Sequence, residues 1–431
     1  MVAGPGNGSI EARMSLNERP SRSALRPEQL KSVLTFILAG GKGERLYPLT
    51  RDRSKPAVPF GGMYRIIDIT LSNVLNSGLR RIYLLSQYKS ASLMRHIKHG
   101  WNLFSAELGE YIYTIPPQLR VGSNWYLGTA DALFQNIYTL EEEKPEHVLI
   151  LSGDHIYRMD YRDMLIDHLD SNADATMAVL TVPAAEASRF GVVQHDAAGR
   201  VTGFREKPKD LDPQGPDVVA NMGVYLFRTD VLVRAISRDA RRDDSNHDFG
   251  KDIFPSLVQG GSHVFAHRFR GVGVNSPTYW RDIGTVAAYY EANMDLVAVT
   301  PEFNLYDPTW PLRSAPVQAP PAKFVFAGGE AGRVGSALDS LVCSGAIVSG
   351  GQVERSVIGP GCRVNSWARV TGSILMDGVQ VGRHAVVKNA IIDKNVSIPQ
   401  GMEIGVDPVL DRQRFTVTEE GIVLVPRGER L

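Results

Sequence analysis

The C-terminal part of the chain places an apolar residue at every sixth position, with two slips along the way. The positions are Leu341, Ile347 and Val353, then Ile358, Val364, Val370 and Met376, then Val386, Ile392, Ile398 and Ile404. Glycines punctuate this pattern, and the combination is typical of a parallel β-helix built from hexapeptide coils. Ordinary short strands separated by turns are the alternative, which the regular step disfavours. We expect a stiff prism suited to assembly or regulation.

The length and charge balance of the chain restrict the classes of protein that remain. At 431 residues it is too long for one ordinary hydrophobic core, so we expect two domains. Lysine plus arginine and aspartate plus glutamate both number 47, and this zero formal charge argues against a nucleic-acid partner, which requires neutralisation of phosphates. Small molecules are the partners that this composition favours.

The cysteines and the apolar runs bear on the cellular location. Cys343 and Cys362 have no metal-ligand spacing and are too few for a disulfide scaffold, which suits a reducing cytoplasm. Residues 1–30 contain no apolar segment typical of a signal peptide, and no later run approaches the length of a membrane span. We therefore expect a cytoplasmic protein with no membrane partner.

The sequence divides into four parts. A flexible tail, 1–30, precedes a domain at 31–300, and a Pro-rich linker at 301–322 leads to the hexapeptide-repeat domain at 323–431. The 31–300 domain alternates strand and helix patterns, which predicts an α/β fold with a mostly parallel sheet and ligands at the carboxyl ends of its strands. The predicted strands are 33–39, 81–86, 147–152 and 176–182, and the predicted helices are 66–75 and 129–140.

A glycine-rich loop follows the first predicted strand. Gly40, Gly41 and Gly43 let backbone N–H groups approach a phosphate closely, while Lys42 and Arg45 supply positive charge. The spacing fits neither the P-loop, which needs Gly-Lys followed by Ser or Thr, nor the dinucleotide pattern with its third glycine. A strand-to-helix turn without a ligand is the alternative interpretation.

Several stretches together resemble the sugar-nucleotide pyrophosphorylases and, within them, the bacterial glucose-1-phosphate adenylyltransferase family. They are 38–41 with 48–50 and 55–56, Asn124-Trp125-Tyr126 with 128–132, 247–252, Tyr279-Trp280-Arg281-Asp282-Ile283-Gly284-Thr285, and 419–425. The resemblance extends from about residue 31 to the C-terminus. It implies a Rossmann-like nucleotidyltransferase domain followed by a left-handed parallel β-helix.

The reaction that this resemblance implies is the first committed step of bacterial glycogen synthesis. A phosphate oxygen of glucose 1-phosphate attacks the α-phosphorus of ATP, ADP-glucose forms and pyrophosphate leaves. Because the nucleophile is already an anion, no general base is required, and catalysis depends on positioning and on charge stabilisation by cations, Mg²⁺ and backbone amides.

Cations for the phosphates are expected at two positions. Arg45 closes the glycine loop and is the best candidate to hold the outgoing pyrophosphate, with Lys55 as a second cation on the same phosphates. The alternative is that Arg45 caps the following helix and Lys55 is solvated. We expect both residues to be catalytic.

A metal site is expected at two carboxylates. Asp154 follows the apolar strand at 147–152, so its side chain should lie at the carboxyl end of the sheet, and Asp282 resembles the second metal carboxylate of the family. Mg²⁺ prefers hard oxygen ligands of this kind and would bridge the two phosphates. A helix cap for Asp154 and an ion pair between Asp282 and Arg281 are the alternatives.

The resemblance also implies a sugar pocket and a nucleotide pocket. Lys207 would grip the sugar phosphate and Glu206 the sugar hydroxyls, although a solvated charge pair in a turn remains open. The residues that match the rest of the sugar pocket are Tyr126, Gly191 and Asn221. At position 221 bacterial relatives usually carry Ser. Residues matching the nucleotide pocket are Leu38, Ala39, Gly40, Gly41, Gln87 and Gly128.

Regulation by metabolites in a homotetramer is a further implication. Arg53, Arg65 and Arg383 match basic positions of an effector site between the domains, with sugar-phosphate or organic-acid activators and an adenine-nucleotide inhibitor. Asp52 and Pro59 stand where some relatives activated by fructose 1,6-bisphosphate carry Lys and His. The loss of a cation and the gain of an anion would weaken the binding of a bisphosphate. A different activator, such as fructose 6-phosphate or pyruvate, is therefore expected. The alternative is that Asp52 is a solvated loop residue with no bearing on effectors.

Three rival functions share part of this pattern. A thymidylyl-, uridylyl- or guanylyltransferase would carry the same loop and carboxylates. A β-helix acyltransferase would need a catalytic histidine in the coils, where His384 is the candidate, and a non-catalytic regulatory subunit would be expected to lack residues such as Arg45, Asp154 or Lys207.

Overall fold

A computed structural model describes residues 25–118, 125–272, 278–328 and 332–431. Residues 1–24 of the predicted tail lie outside the described residues, and so does Asn124, which is part of the family resemblance. Residues 27–31 form a short helix. Among the described residues, no helix combines the length and the apolar character that crossing a membrane requires. The chain forms an N-terminal α/β domain and a C-terminal β-helix.

The N-terminal domain consists of strands β1–β13 and helices α1–α9. The strands are Val33–Ala39, Pro59–Phe60, Tyr64–Arg65, Arg81–Ser86, Tyr111–Ile115, His147–Ser152, His155–Tyr157, Ala175–Val182, Gly191–His195, Val201–Glu206, Val218–Arg228, Val264–Arg268 and Trp280–Asp282. The helices are Pro27–Lys31, Ile66–Asn76, Ala91–Gly100, Thr129–Phe134, Ile137–Glu143, Tyr161–Asp170, Thr229–Asp239, Phe254–Gln259 and Val286–Asp295. Short 3₁₀ turns at Glu44–Leu46 and Lys55–Ala57 follow the glycine loop.

The main sheet has a parallel centre. Strand β1 lies between β4 and β6, with β5 beyond β4, and all these pairs are parallel. Strand β11 pairs antiparallel with β6 and also pairs with β8 and β9. Strand β12 pairs with β8, and β10 pairs with β9. The predicted α/β fold with its parallel sheet is therefore confirmed, and the central strands agree closely with the apolar runs.

The predicted helix at 129–140 is wrong as one continuous element. The structure ends α4 at Phe134 and begins α5 at Ile137. The Asn136 side chain donates a hydrogen bond to the carbonyl of Ala132 at 2.7 Å and another to the Tyr126 hydroxyl at 3.0 Å. A side-chain amide that bonds to the backbone and to a neighbouring side chain in this way favours a break between two helical segments.

The β-helix consists of strands β14–β29, with helix α10 at Pro408–Arg414. The strands are Lys323–Val325, Ser336–Leu338, Leu341–Val342, Ile347–Ser349, Gln352–Glu354, Val357–Ile358, Arg363–Val364, Arg369–Thr371, Ile374–Leu375, Gln380–Val381, Val386–Lys388, Ala390–Ile392, Ser397–Ile398, Glu403–Ile404, Thr416–Val417 and Val423–Val425. Successive coils pair in parallel along three faces, as in a left-handed parallel β-helix. The predicted β-helix is confirmed.

The six-residue period misses the interior position at four places. The interior residues there are Val342, Val348 and Val387, one residue after Leu341, Ile347 and Val386, and Leu375, one residue before Met376. The cause is the variable length of the corners, since a slip of one residue turns a side chain to the opposite face of a strand.

One face of the prism is apolar on both sides and packs against the N-terminal domain. The outward residues Val357, Ile374 and Ile391 are fully or almost fully buried, in one core cluster with Leu46 and Tyr289 of the N-terminal domain. Each outward residue is followed by an inward one, which gives the adjacent apolar pairs of β19, β22 and β25. This docked face brings the β-helix beside the loop that follows the glycines.

Candidate active site

The glycine loop lies at the carboxyl end of the parallel sheet, between the ends of β1 and β4. A Cβ atom added to Gly40 would lie 3.2 Å from Cβ of Gln87, so the two residues are neighbours. Gln87 is largely buried and its amide nitrogen lies 3.2 Å from the carbonyl of Tyr126, to which it donates. Gly43 has a φ of 66°, a conformation that favours glycine, so the turn depends on this residue type. The predicted nucleotide-binding residues Gly40 and Gln87 are therefore in contact at this end of the sheet.

Two carboxylates meet beside this loop because β7 and β13 pair. Asp154 follows β6, and the antiparallel register places Asp282 opposite His155. The His155 Nε2 atom lies 3.5 Å from a carboxylate oxygen of Asp154 and 3.8 Å from one of Asp282. One ligand atom from each of the three residues lies within 4.8 Å of the others. Hard oxygen donors at this spacing fit a divalent cation such as Mg²⁺.

Lys55 lies between the same carboxylates. Its Nζ atom is 2.6 Å from an oxygen of Asp154 and 3.4 Å from an oxygen of Asp282, and the side chain is 11% exposed. Burial would raise the pKa of the Asp154 carboxyl, but the Lys55 charge, aided by His155, outweighs burial and holds that pKa well below its usual value. Burial likewise lowers the pKa of Lys55, but the two aspartates reverse this and raise it. Asp154 and Lys55 are therefore both charged at neutral pH.

Arg45 reaches the same cluster from the 3₁₀ turn after the glycines. A Cβ atom added to Gly284 would lie 2.9 Å from Asp282 Oδ2 and 3.2 Å from an Arg45 guanidinium nitrogen. Arg45, Lys207 and Asp282 line one open groove of about 590 Å³. Two predicted phosphate cations, Arg45 and Lys55, thus lie on either side of Asp282.

A cavity of about 260 Å³ opens on the other side of the carboxylates. Its lining includes the predicted sugar-pocket residues Gly191, Glu206, Lys207 and Asn221, together with Asp282. A side chain at Gly191 would lie 2.8 Å from a Glu206 oxygen, so the glycine allows this close approach. Burial raises the pKa of the Glu206 carboxyl, and this is opposed by the charge of Lys207, whose Nζ lies 3.4 Å away.

Two of the sugar-pocket candidates, Asn221 and Tyr126, form hydrogen bonds within the protein. Asn221 accepts a hydrogen bond from the N–H of Gly223 at 3.0 Å and donates one to the Tyr225 hydroxyl at 2.8 Å. Its amide therefore holds the turn at Gly223, where φ is 73°. Tyr126 lies on the nucleotide side, since its carbonyl accepts from Gln87.

The sequence reasoning missed several residues of this site. His155 directly follows Asp154, and its Nδ1 atom is buried with no hydrogen-bond partner among the described residues. The His155 ring packs edge-on against Trp280 at 5.1 Å. Asp248 lines the sugar cavity and accepts hydrogen bonds from the N–H groups of Gly250 and Lys251, which begin a π-helical turn. Asp248 belongs to the stretch 247–252, which is part of the family resemblance, but the resemblance assigned no function to any residue of that stretch.

Two of the predicted effector arginines, Arg53 and Arg65, lie near each other, and the third, Arg383, lies elsewhere. Arg53 is buried and donates to both oxygens of Asp393 at 2.6 Å. Arg65 donates to Ser92 Oγ at 2.9 Å. Arg383 follows β23 and lies at a different corner of the prism from Lys394, which follows β25.

Lys394 is the cation that the structure places near Arg65 and Arg53. Its Nζ atom lies 2.6 Å from Asp377 Oδ2. Burial lowers the pKa of Lys394, and the charges of Arg65 and Arg53 act in the same direction. No motif had singled out this lysine, because the corner of a coil carries no periodic signal.

His384 offers little for the acyltransferase reading. It is exposed and its ring stacks on Trp367 with a centroid separation of 6.4 Å. None of the cavities described above includes it in its lining.

Comparison with known proteins agrees with this geometry. Residues 34–298 match the model of a family described as nucleotidyl transferase, and residues 320–425 match one described as GlmU-like, C-terminal hexapeptide. A glucose-1-phosphate adenylyltransferase of Rhodopirellula baltica is 54% identical over 408 residues, which cover 93% of this chain and 91% of that protein. One from Koribacter versatilis is 53% identical, with 93% and 96% covered, and glucose-1-phosphate adenylyltransferase 2 of Vibrio cholerae is 50% identical, with 93% and 98% covered.

Proposed function

Since the chain belongs to the glucose-1-phosphate adenylyltransferase family, we propose that it forms ADP-glucose and pyrophosphate from ATP and α-D-glucose 1-phosphate. The observation that carries this proposal is the cluster of Arg45, Lys55, Asp154 and Asp282, which lies between the glycine loop and the sugar cavity. A non-catalytic subunit would have no use for this set of charges.

The reaction is a single in-line displacement. A phosphate oxygen of glucose 1-phosphate forms the new bond to the α-phosphorus, and the bond between that phosphorus and the bridging oxygen to the β-phosphorus breaks. The electron pair leaves with pyrophosphate. In this scheme Arg45 and Lys55 stabilise the departing charge, and Lys207 holds the attacking phosphate near the α-phosphorus.

We propose that Asp154 and Asp282 would hold a divalent cation, Mg²⁺, which would supply positive charge to offset that of the two phosphates. The chain's own contribution is to hold these carboxylates close together and to keep Asp154 ionised. Lys55 contributes to this by pairing with both. His155 is the third residue at the position, and its Nε2 atom lies 3.5 Å from Asp154 and 3.8 Å from Asp282.

Glu206 and Lys207 are proposed to bind the sugar phosphate from one turn. Lys207 has a φ of 47°, an uncommon conformation for a residue with a side chain. Its backbone N–H donates to the carbonyl of Phe190 at 3.0 Å, which fixes the turn beside Gly191. The carboxylate of Glu206 can then accept hydrogen bonds from sugar hydroxyls while Lys207 faces the phosphate.

Nucleotide selectivity is the first prediction from this proposal. With glucose 1-phosphate and Mg²⁺, we expect ATP to give a kcat/KM at least about tenfold above that of UTP, dTTP or GTP, since a misplaced base hydrogen bond costs about 1.4 kcal/mol or more. Pyrophosphate release with product masses measures this. A preference for another nucleotide would favour one of the rival transferases.

Regulation and assembly form the less direct part of the proposal. We propose a homotetramer in the cytoplasm, where ATP is available, with an adenine-nucleotide inhibitor and an anionic activator. The cations for the activator would be Arg65 and Lys394 at the junction of the domains, close to Arg53. Asp52, which directly precedes Arg53, is exposed, and its carboxylate lies 3.1 Å from the guanidinium of Arg51.

The second prediction concerns the activator. Because Asp52 places an anion next to Arg53, where some relatives activated by fructose 1,6-bisphosphate carry Lys, fructose 6-phosphate or pyruvate should activate more strongly than the bisphosphate. Asp52→Lys should shift the preference toward the bisphosphate. The hypothesis fails if fructose 1,6-bisphosphate is the strongest activator of the unaltered enzyme in a pyrophosphate-release assay.

A further inference from the structure

The segment from Arg51 to Lys55 joins the β-helix to the active site. Arg53 inserts into the junction and binds both oxygens of Asp393 at 2.6 Å. The side chains are 6% and 2% exposed, so this ion pair is almost fully removed from water. Arg51 makes a second link by donating to the backbone carbonyl of Arg427 near the C-terminus.

Lys55 lies two residues after Arg53 and begins a 3₁₀ turn. The N–H of Ala57 donates to the carbonyl of Ser54 at 3.0 Å, and the N–H of Val58 donates to that of Lys55 at 3.1 Å. Ser54 alone separates Arg53 from this turn, so a shift of the Arg53 backbone would pass through one residue to Lys55, whose Nζ lies 2.6 Å from Asp154 and 3.4 Å from Asp282.

Docking of the two domains does not depend on this ion pair. The apolar face formed by Val357, Ile374 and Ile391 already buries a continuous core against the N-terminal domain. A buried ion pair contributes little net stability, because desolvation offsets the attraction. Here one guanidinium nitrogen of Arg53, Nη2, donates to both carboxylate oxygens of Asp393 at 2.6 Å, which fixes the position of that nitrogen. Geometry, rather than docking strength, is what Asp393 adds.

We propose that Asp393 is a positioning residue for the reaction, acting through Arg53 to place Lys55 between the two carboxylates. The inference rests on the proposed function for its kinetic consequence. Its structural content, that a residue of the β-helix holds the segment that carries Lys55, can be measured without turnover.

The kinetic test is a double-mutant cycle. Asp393→Asn should lower kcat about tenfold or more, because a small displacement of a charged group near the transferred phosphorus is costly. In a Lys55→Gln background the same change should alter kcat less than about twofold, since the residue that it positions is gone. Equal losses in the two backgrounds would show that Asp393 does not act through Lys55.

Asp411→Asn is the matched control. Asp411 is a buried aspartate of the β-helix domain that pairs with Arg414 at 3.0 Å within helix α10, with no link to the active-site segment. Its replacement should lower thermal stability while kcat per folded enzyme stays within about twofold of the unaltered protein. If both variants lose kcat alike, the role of Asp393 is structural.

A second variant covers the case in which Asp393→Asn leaves Arg53 buried and unpaired and prevents folding. The double replacement Arg53→Met with Asp393→Leu removes both charges together, a change that buried pairs often tolerate. This protein should fold and still show the tenfold loss of kcat. Unaltered kcat would overturn the proposal.

Hydrogen–deuterium exchange gives the readout that does not depend on activity. Asp393→Asn, or the double replacement, should raise amide exchange in a peptide spanning 50–58, and Asp411→Asn should leave that peptide unchanged. Equal protection in all variants would overturn the inference. An unaltered protein that makes no ADP-glucose would instead refute the proposed function, and the exchange result would still stand on its own.

Discussion

Asp154→Asn should lower kcat by about 10³-fold or more while leaving the fold intact, because the variant removes one of two carboxylates at the reacting phosphates. The Asp154 side chain also holds Lys55 at 2.6 Å, so its loss disturbs a cation as well as the metal position. Pyrophosphate release measures kcat, and circular dichroism with thermal melting checks the fold. Lys55 still has Asp282 at 3.4 Å in the variant, which limits the cost in stability.

The control for this prediction is Asp212→Asn. Asp212 lies in an exposed loop, where its carboxylate accepts a hydrogen bond from the N–H of Gln214 at 2.9 Å. That replacement should leave kcat unchanged. Near-normal turnover in a folded Asp154→Asn protein would remove the metal assignment at this position.

Arg45→Ala is the second large effect, with an expected loss of about 10²- to 10³-fold in kcat. The guanidinium lies beside Asp282 and opens onto the groove shared with Lys207, where the departing pyrophosphate would lie. Because the charge on pyrophosphate develops as the bond breaks, the loss should appear mainly in kcat and less in the KM for ATP. Steady-state kinetics at varied ATP separates the two constants.

Arg45→Lys tests the shape of the cation. It keeps the charge but replaces a planar fork with a single ammonium, so an intermediate activity is expected. A loss confined to KM in Arg45→Ala would assign the residue to ground-state binding. Full activity in Arg45→Ala would assign it to the cap of the following turn.

Much of the fold could be predicted from apolar periodicity. The strands at 33–39, 81–86 and 147–152 agree with β1, β4 and β6, since buried parallel strands are nearly continuous apolar runs. The six-residue step predicted the β-helix. It failed at Leu341, Ile347, Met376 and Val386 because the corners vary in length, and corner length is set by backbone conformation rather than by polarity.

The site was harder to predict because it depends on pairings between distant segments. Asp154 could be placed by its strand, but Asp282 reaches it only through the pairing of β7 with β13, which no local pattern predicts. The same holds for Arg53, which was interpreted as an effector residue and is held by Asp393 across the domain junction. The sequence identifies the charged residues, but the residues with which they pair are known only from the docked structure of the two domains.

The central claim is that this site joins the adenylyl group of ATP to glucose 1-phosphate. The most direct measurement incubates the purified protein with ATP, glucose 1-phosphate and Mg²⁺ and follows both products by mass. We predict ADP-glucose and pyrophosphate in equal amounts, with neither formed when glucose 1-phosphate is omitted. A folded protein that forms no ADP-glucose under these conditions, with or without fructose 6-phosphate or pyruvate, would contradict the account.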